Sequence, residues 1–327
     1  MNEAAATIPT LDLRDLKVHF PVRGGLFSRV TGHVRAVDGI SFAVKSGETF
    51  GIVGESGCGK STAGKAALRL IDSTAGTIRL KGRDITHLGD AQLRPLRRDM
   101  QMIFQDPYSS LNPRRSAGQI VAEPLSVHGI ASGAERTERV AALFRRVGLR
   151  PEQMADPPHA FSGGQRQRIG IARALAAGPS IIVCDESVSA LDVSIQAQVI
   201  NLLMDLQEEY GLSFLFITHD LAVVQHISHQ IAVMYLGRIV ERAPKDAVFA
   251  SPLHPYTQAL LAAVPIPDPR ARRQKTGLLQ GDIPSPLNPP AGCHFHTRCP
   301  HANARCRTES PELKELSPSH WVSCHLY

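Results

Sequence analysis

The run Gly54-Glu55-Ser56-Gly57-Cys58-Gly59-Lys60-Ser61 reads G-x-x-x-x-G-K-S, follows the apolar stretch Thr49–Val53 and precedes a helix-compatible segment, Ser61–Leu70. A strand, a glycine-rich loop and a helix start in that order form a phosphate cradle. The glycines let successive backbone N–H groups turn toward one concave point. Lys60 then reaches the β- and γ-phosphates of a nucleotide, and the Ser61 hydroxyl supplies a ligand for Mg²⁺. The bland alternative is a glycine-rich turn with a stray lysine. The strand–loop–helix context favours nucleotide binding.

Four further segments carry groups that suit phosphate chemistry. Ile181-Ile182-Val183-Cys184-Asp185-Glu186 ends an apolar strand on two carboxylates. Ligands of α/β sheets bind beyond the carboxyl ends of strands, so both acids are expected on the phosphate side. Asp185 suits the Mg²⁺ shell, and Glu186 is placed to orient or deprotonate an attacking water. A strand followed by an N-capping acid is the competing reading. Phe161-Ser162-Gly163-Gly164-Gln165 opens the helix Arg166–Leu175, whose N–H groups and dipole make a second anion site. Ser162 alone reads equally well as a helix cap; two glycines are more than capping needs. His219 closes the apolar run Phe214–Thr218, and Gln105 follows the strand Met100–Phe104, so both are polar groups on the ligand edge.

The elements that must position these groups alternate as in a parallel α/β sheet. Strand signals fall at Ser41–Val44, Thr49–Val53, Thr77–Leu80, Met100–Phe104, Ile181–Cys184, Phe214–Thr218 and Ile231–Tyr235. Two of these, Ile181–Cys184 and Phe214–Thr218, are almost continuously apolar, as central strands covered on both faces require. Residues 106–165 turn helical, with Val140, Leu143, Phe144 and Val147 on one face, and are expected to form an inserted helical subdomain. Ser194–Tyr210 is a second amphipathic helix, closed by Gly211. Beyond about residue 250 the prolines Pro265, Pro267, Pro269, Pro284, Pro286, Pro289 and Pro290 mark an extended, weakly helical tail. The expected division is therefore 1–250 and 251–327.

At 327 residues the chain can bury a full α/β core and carry an extra piece. Its net charge of +6 is modest and its charges are interleaved, which argues for ordinary solubility and against nucleic-acid binding. The one basic run, Arg270–Lys275, lies in the Pro-rich linker. No stretch approaches the roughly 20 apolar residues of a membrane span. Met1–Lys17 does not resemble a secretion signal, so the expected compartment is the cytosol, with reduced cysteines.

Taken in order, these motifs resemble the nucleotide-binding subunit of an ATP-binding-cassette (ABC) transporter over roughly residues 11–250. The resemblance implies a P-loop NTPase fold of the ABC type that binds ATP and Mg²⁺ and hydrolyses ATP. On it, Gly54–Thr62 (Gly54, Glu55, Ser56, Gly57, Cys58, Gly59, Lys60, Ser61, Thr62) is the phosphate loop and Gln105 the Q-loop glutamine, shared with Ser61 and Asp185 around Mg²⁺. Ser162, Gly163, Gly164 and Gln165 belong to the signature, which begins with Phe161 where the family usually has Leu. Asp185 and Glu186 are the Walker B pair, Ser189-Ala190-Leu191-Asp192 the D-loop and His219 the switch histidine. Phe20 stands where an adenine-stacking Tyr is usual, ahead of an insertion at Pro21–Arg35. In the family, two such domains pair head to tail.

The segments Gln105–Pro113, His254-Pro255-Tyr256-Thr257 and Gly281–Pro300 narrow the resemblance to peptide and nickel importer ATPases, most closely the second (F-type) ATPase of dipeptide or oligopeptide importers. This implies two transmembrane permease subunits, a second homologous ATPase subunit and an extracytoplasmic solute-binding protein as partners, with the chain peripheral on the cytoplasmic face of the membrane. Glutathione and nickel systems share the motifs. Soluble ABC ATPases of DNA or ribosomes are the more distant alternative; they carry coiled coils or two cassettes, and this chain carries neither.

Cys58 and Cys184 lie within the ATP motifs and are expected to be small packing residues. Cys293, Cys299, Cys306 and Cys324 fall in the tail, where four thiols in a Pro-rich segment suggest a metal. Their spacing is not that of a zinc finger, although His294, His296, His301, His320 and His325 offer further zinc ligands. The resemblance implies a [4Fe–4S] cluster at the four cysteines, with zinc as the alternative.

Overall fold

The computed structural model describes residues 8–24, 28–106, 108–189, 191–263 and 281–327. The basic run Arg270–Lys275, Pro265, Pro267 and Pro269, Pro107 of the Gln105 segment and Ala190 of the Asp192 segment lie outside the described residues. The chain divides into two compact units, each discontinuous in sequence. One is built from Met1–Asp12, Ala43–Thr49 and Arg79–Ile217, the other from Leu13–Phe42, Phe50–Ile78 and Thr218–Tyr327.

In the first unit, Met100–Ile103, Ile181–Asp185 and Ser213–Thr218 run parallel, with Met100 opposite Ile181 and Asp185 opposite Ile217. The two apolar runs are buried at every position, as continuous Ile, Val and Phe require of strands covered on both faces. The helices Ala117–Val127 and Gly133–Arg146 occupy the stretch between Gln105 and the signature; Val140, Phe144 and Val147 are buried and Leu143 is half-buried. Gly163–Ala176 packs along Ala117–Val127. Val193–Tyr210 buries Val199, Leu202 and Leu206 and stops at Gly211, whose φ of 63° lets the chain turn out of the helix.

In the second unit, Thr49–Val53 runs parallel to Gln230–Tyr235, with Phe50 opposite Gln230 and Val53 opposite Val233. Gln230–Tyr235 pairs antiparallel with Arg238–Pro244. Two long strands, Leu11–Gly24 and Arg29–Val44, precede the phosphate loop and pair with each other. The described parts of the Pro21–Arg35 segment, through Gly24 and from Arg29, thus lengthen existing strands.

The tail departs most from expectation. It is not simply an extended segment. His320–Val322 pairs antiparallel with Arg238–Pro244, Glu241 opposite Val322, and Lys314–Ser317 pairs outside it. Pro255–Ala263 and Ala304–Thr308 are helical. The physical reason is a core that the Pro-rich composition conceals. Phe295 is 1% exposed and packs edge-on against Tyr235 at 5.3 Å, while Tyr256 packs against Tyr235 at 4.7 Å. Val53, Val233, Leu236 and Val240 complete that cluster. Each such buried side chain stabilises the docking by roughly 1.5–3 kcal/mol.

Glu241 locks the arrangement. Its carboxylate is fully buried and accepts from the Leu253 and His254 N–H groups at 2.8 and 2.9 Å, and it pairs with His320 Nε2 at 2.8 Å. A buried carboxylate is tolerable only when so satisfied.

Candidate functional site

The phosphate loop leaves the buried strand Thr49–Val53 at Gly54 and enters the helix Lys60–Ala67 from Gly59. Two glycines here are compelled by close backbone approach. A Cβ on Gly54 would meet the Met234 carbonyl oxygen at 2.2 Å, and one on Gly59, at φ 106°, the Ala36 oxygen at 1.9 Å. Gly57, also left-handed at φ 79°, faces open space. The Gly237 N–H donates to the Cys58 carbonyl at 2.9 Å, tying the loop to the turn after Gln230–Tyr235.

Lys60 is 3% exposed, and its Nζ donates to the carbonyl oxygens of Gly54 at 2.8 Å and Glu55 at 2.9 Å. The ammonium thus sits inside the loop's own curve, where an arriving phosphate would find it. Cys58 is 2% exposed; burial pushes its thiol pKa up against the pull of Lys60. Cys184 is fully buried and its thiol pKa is raised for the same reason. Both are packing residues, as their positions suggested.

In the first unit, Asp185 is 4% exposed at the end of its strand, and Glu186 follows at φ 44°, a strained value for a side chain of this size. The Glu186 N–H donates to the Ile217 oxygen at 2.8 Å, and the Ser189 hydroxyl donates back to the Glu186 carbonyl at 2.8 Å, which hold the residue in that conformation. Gln105 Nε2 donates to Glu186 Oε2 at 3.0 Å. The structure therefore joins Gln105 to the second of the two strand-end acids. Ser61, Asp185 and Gln105 offer hydroxyl, carboxylate and amide oxygens, the hard donors that Mg²⁺ prefers.

Ser162 caps the helix Gly163–Ala176: its hydroxyl accepts from the Gln165 N–H at 3.3 Å, and Gln165 Oε1 accepts from the Ser162 N–H at 2.9 Å. The two glycines differ. A Cβ on Gly164 would meet Ile195 at 2.5 Å, whereas one on Gly163 would have Leu191 at 3.8 Å and the Tyr108 hydroxyl at 4.0 Å as neighbours. Gly164 therefore has a packing reason to be glycine, and Gly163 has none among the described residues. The Arg166 guanidinium lies 4.0 Å from the Tyr108 ring centroid, an exposed stack linking the Gln105 segment to the signature helix.

Phe20 is 42% exposed on Leu11–Gly24, so its ring is open to a stacking partner. His219 is exposed just beyond Ser213–Thr218, ahead of Asp220, which caps the next helix by accepting from the Ala222 N–H at 2.8 Å. Asp192 precedes Val193–Tyr210 with no side-chain cap bond, exposed to solvent.

Two residues that no sequence pattern marks touch the phosphate loop. Arg298 donates from both terminal nitrogens to the Glu55 carboxylate, at 2.7 and 3.0 Å, and the Tyr256 hydroxyl accepts from the Glu55 N–H at 3.0 Å. Both come from the tail. The only signal was an arginine and a tyrosine inside the tail segments.

The four tail thiols lie close enough to influence one another. Burial, then the negative charge of Cys306, Cys324 and Cys299, pushes the Cys293 pKa up to about 11. Burial likewise raises Cys299 and Cys324, each of which also senses Cys306. The Cys293 N–H donates to the Cys306 carbonyl at 2.9 Å. Among the described residues, no group of three or more His, Cys, Asp and Glu side chains stands in an arrangement that could hold a metal ion. Several tail histidines have other partners: His320 engages Glu241, His296 Nδ1 lies 2.8 Å from the Cys293 oxygen and His325 Nε2 2.9 Å from that of Glu309. The expected [4Fe–4S] site at Cys293, Cys299, Cys306 and Cys324, and its zinc alternative, therefore have no metal-holding arrangement among the described residues.

No helix among the described residues is long and apolar enough to cross a membrane. Residues 37–189 match the family model described as "ABC transporter", and residues 240–306 match "Oligopeptide/dipeptide transporter, C-terminal region". The oligopeptide transport ATP-binding protein AppF of Bacillus subtilis is 56% identical over 319 residues, covering 97% of each chain. The glutathione import ATP-binding protein GsiA of Salmonella typhi is 56% identical over 315 residues, covering 96% of this chain and 48% of that protein. Among solved structures, cbiO1 from Clostridium perfringens, part of an ABC transporter complex, aligns with a TM-score of 0.64 at 27% identity over 74% of this chain and 91% of its own. The chain belongs to the ABC transporter family, among the ATP-binding proteins of its oligopeptide/dipeptide branch.

Proposed function

We propose that this ABC-type ATPase powers the uptake of di- and oligopeptides by a membrane importer. What carries the substrate class is the tail: a peptide-transporter C-terminal region that is folded onto the phosphate loop through Arg298 and Tyr256. In this reading Gly54–Thr62 cradles the ATP phosphates and Lys60 bonds the γ-phosphate. Phe20 stacks on adenine, and Ser61, Gln105 and Asp185 hold Mg²⁺, which neutralises the phosphate charge. Glu186 takes a proton from the attacking water, with Gln105 fixing its carboxylate and His219 contacting the γ-phosphate.

Ser162, Gly163, Gly164, Gln165 and Asp192 complete a partner's nucleotide site in a head-to-tail pair with a second homologous ATPase subunit. Two permease subunits and an extracytoplasmic solute-binding protein form the rest of the importer, and this chain sits peripherally on the cytoplasmic face. Cys293, Cys299, Cys306 and Cys324 are the residues that would hold a [4Fe–4S] cluster, which would cross-link the tail. Glutathione is the second reading, favoured by the 56% identity to the glutathione import protein.

The test is ATP-driven uptake in vesicles reconstituted with this chain and the permeases, partner ATPase and binding protein with which it assembles. Labelled di- and oligopeptides should accumulate with ATP. Accumulation of glutathione or nickel in their place would overturn the peptide assignment and leave the ATPase intact.

A further inference from the structure

Glu55 occupies one of the free positions of G-x-x-x-x-G-K-S. Nothing in phosphate binding asks for a carboxylate there, and a bare negative charge beside a polyphosphate is unfavourable. Here the charge is answered by Arg298, 243 residues away in sequence, through a two-pronged contact at 2.7 and 3.0 Å. The Arg298 side chain is 5% exposed and that of Glu55 25%. Its guanidinium lies 5.9 Å from the Tyr235 ring centroid. Fork-on-carboxylate geometry fixes direction as well as charge.

The same residue is held by its main chain. The Glu55 N–H donates to the Tyr256 hydroxyl at 3.0 Å, and the Glu55 carbonyl accepts from Lys60 Nζ at 2.9 Å. Tyr256 is fully buried against Tyr235 and Phe295, so its hydroxyl is a fixed point. Glu55 is thus where the tail's two anchors meet the lysine that is to bind phosphate.

We infer that Arg298 is a positioning residue for ATP: its fork on Glu55 neutralises the loop's own carboxylate and sets the curve of the phosphate loop, which makes the tail part of the nucleotide site. The inference rests on Gly54–Thr62 being the ATP-binding loop. Arg298 acts through Glu55 and does not touch the nucleotide. Because Arg298 immediately precedes Cys299, disturbance of the tail cysteines is transmitted to ATP affinity by the same contact.

The test uses the full-length chain in its assembled transporter, with KM for ATP and kcat measured separately. Arg298→Gln should raise KM roughly tenfold, the size expected for one lost charge-assisted contact, with kcat within about twofold. Arg298→Lys keeps the charge without the fork and should raise KM by about threefold; it carries the test if the glutamine variant does not fold. Adding Glu55→Gln to Arg298→Gln removes the stranded carboxylate and should restore most of the affinity. A purely structural arginine would instead give further or additive loss. An unchanged KM for both arginine variants, or a double variant no better than Arg298→Gln, would overturn the inference. Lys60→Ala in the same assay separates the two readings: if it turns over ATP normally, the phosphate-loop assignment fails, and if it is inactive while the arginine variants keep wild-type KM, only the role of Arg298 fails.

Discussion

Gln105 and Glu186 meet side chain to side chain, Nε2 to Oε2 at 3.0 Å, although 81 residues separate them. The amide holds the carboxylate in one rotation while the backbone at φ 44° holds the residue. In the proposed function this contact orients Glu186 as the base. Replacing it should separate binding from chemistry. Glu186→Gln is expected to bind Mg·ATP at near wild-type affinity and to slow hydrolysis by about 10²-fold or more, because an amide cannot act as a base. Single-turnover ATP cleavage measures it; a rate within a few-fold of wild type would place the attacking water with another residue.

Lys60 tests the loop itself. Its Nζ now rests on the Gly54 and Glu55 carbonyls, so removing it deletes the cation without removing the backbone cradle. Lys60→Ala should abolish ATP turnover in the assembled complex and weaken nucleotide binding by less. Equilibrium binding of a fluorescent ATP analogue alongside phosphate release checks both halves. Wild-type phosphate release would end the assignment.

The central strands were legible because each is a continuous apolar run: Thr49–Val53 is found at its expected bounds, and Ile181–Asp185 and Ser213–Thr218 each differ from expectation by one residue. Leu11–Gly24 was not. Its buried positions are Leu11 and Leu13, then Leu16 and Val18, and the phase slips at Asp15, where φ is 45°. A two-residue period broken in the middle does not announce a strand. Lys314–Ser317 is exposed at all four positions, so no apolar pattern marks it. The motif residues were readable because phosphate chemistry fixes their types and local spacing. Arg298 and Tyr256 were not, because their partner Glu55 lies about 200 residues or more away and no period connects them.

The two signature glycines should behave differently. Gly164→Val drives side-chain atoms into Ile195, where even a Cβ would stand at 2.5 Å, and is expected to lower the melting temperature. Gly163→Val has local room, so the fold should survive. If the signature faces a partner's phosphate loop, Gly163→Val should abolish nucleotide trapping at the partner's loop and spare trapping at this chain's own. Separate labelling of the two composite sites decides it, and a loss confined to this chain's own site would argue against head-to-tail pairing.

Burial holds His254 neutral, with its pKa down from the ordinary 6.5 to about 3, and His294 likewise, down to about 4. His254 Nδ1 accepts from the Tyr256 N–H at 3.0 Å, a bond the protonated ring cannot make. Below pH 6.5 the unfolded chain takes up protons that the folded chain refuses, so the stabilisation is complete above that pH and is lost as pH falls toward 4 and 3. Each histidine contributes a slope of up to about 1.4 kcal/mol per pH unit within its window. The melting temperature should therefore fall steadily from pH 7 to pH 4. His254→Asn, which keeps an acceptor but cannot be protonated, should flatten that dependence; an identical slope in the variant would remove His254 from the account.

Burial, with the charge of the neighbouring tail thiols of Cys306, Cys324 and Cys299, raises the pKa of Cys293 to about 11, so that thiol is protonated at neutral pH when no group is bound. Any group bound there must release protons, and its affinity should rise with pH. Purified without oxygen, the intact chain is expected to be brown, with broad visible absorption and about four irons per chain. Changing any one of the four to Ser should bleach the colour and, through Arg298 beside Cys299, raise KM for ATP. Cys58→Ser and Cys184→Ser should keep it, since both cysteines are buried in the ATP-binding motifs and are no part of the tail set. A structural role follows from the chemistry, because ATP-driven transport contains no redox step. Elemental analysis of anaerobically purified protein is decisive. Stoichiometric zinc without iron would replace the cluster with a single-ion site and leave the ATPase untouched, whereas colourless, metal-free protein with a folded tail would show that the aromatic cluster of Tyr235, Tyr256 and Phe295 is enough to hold the tail in place.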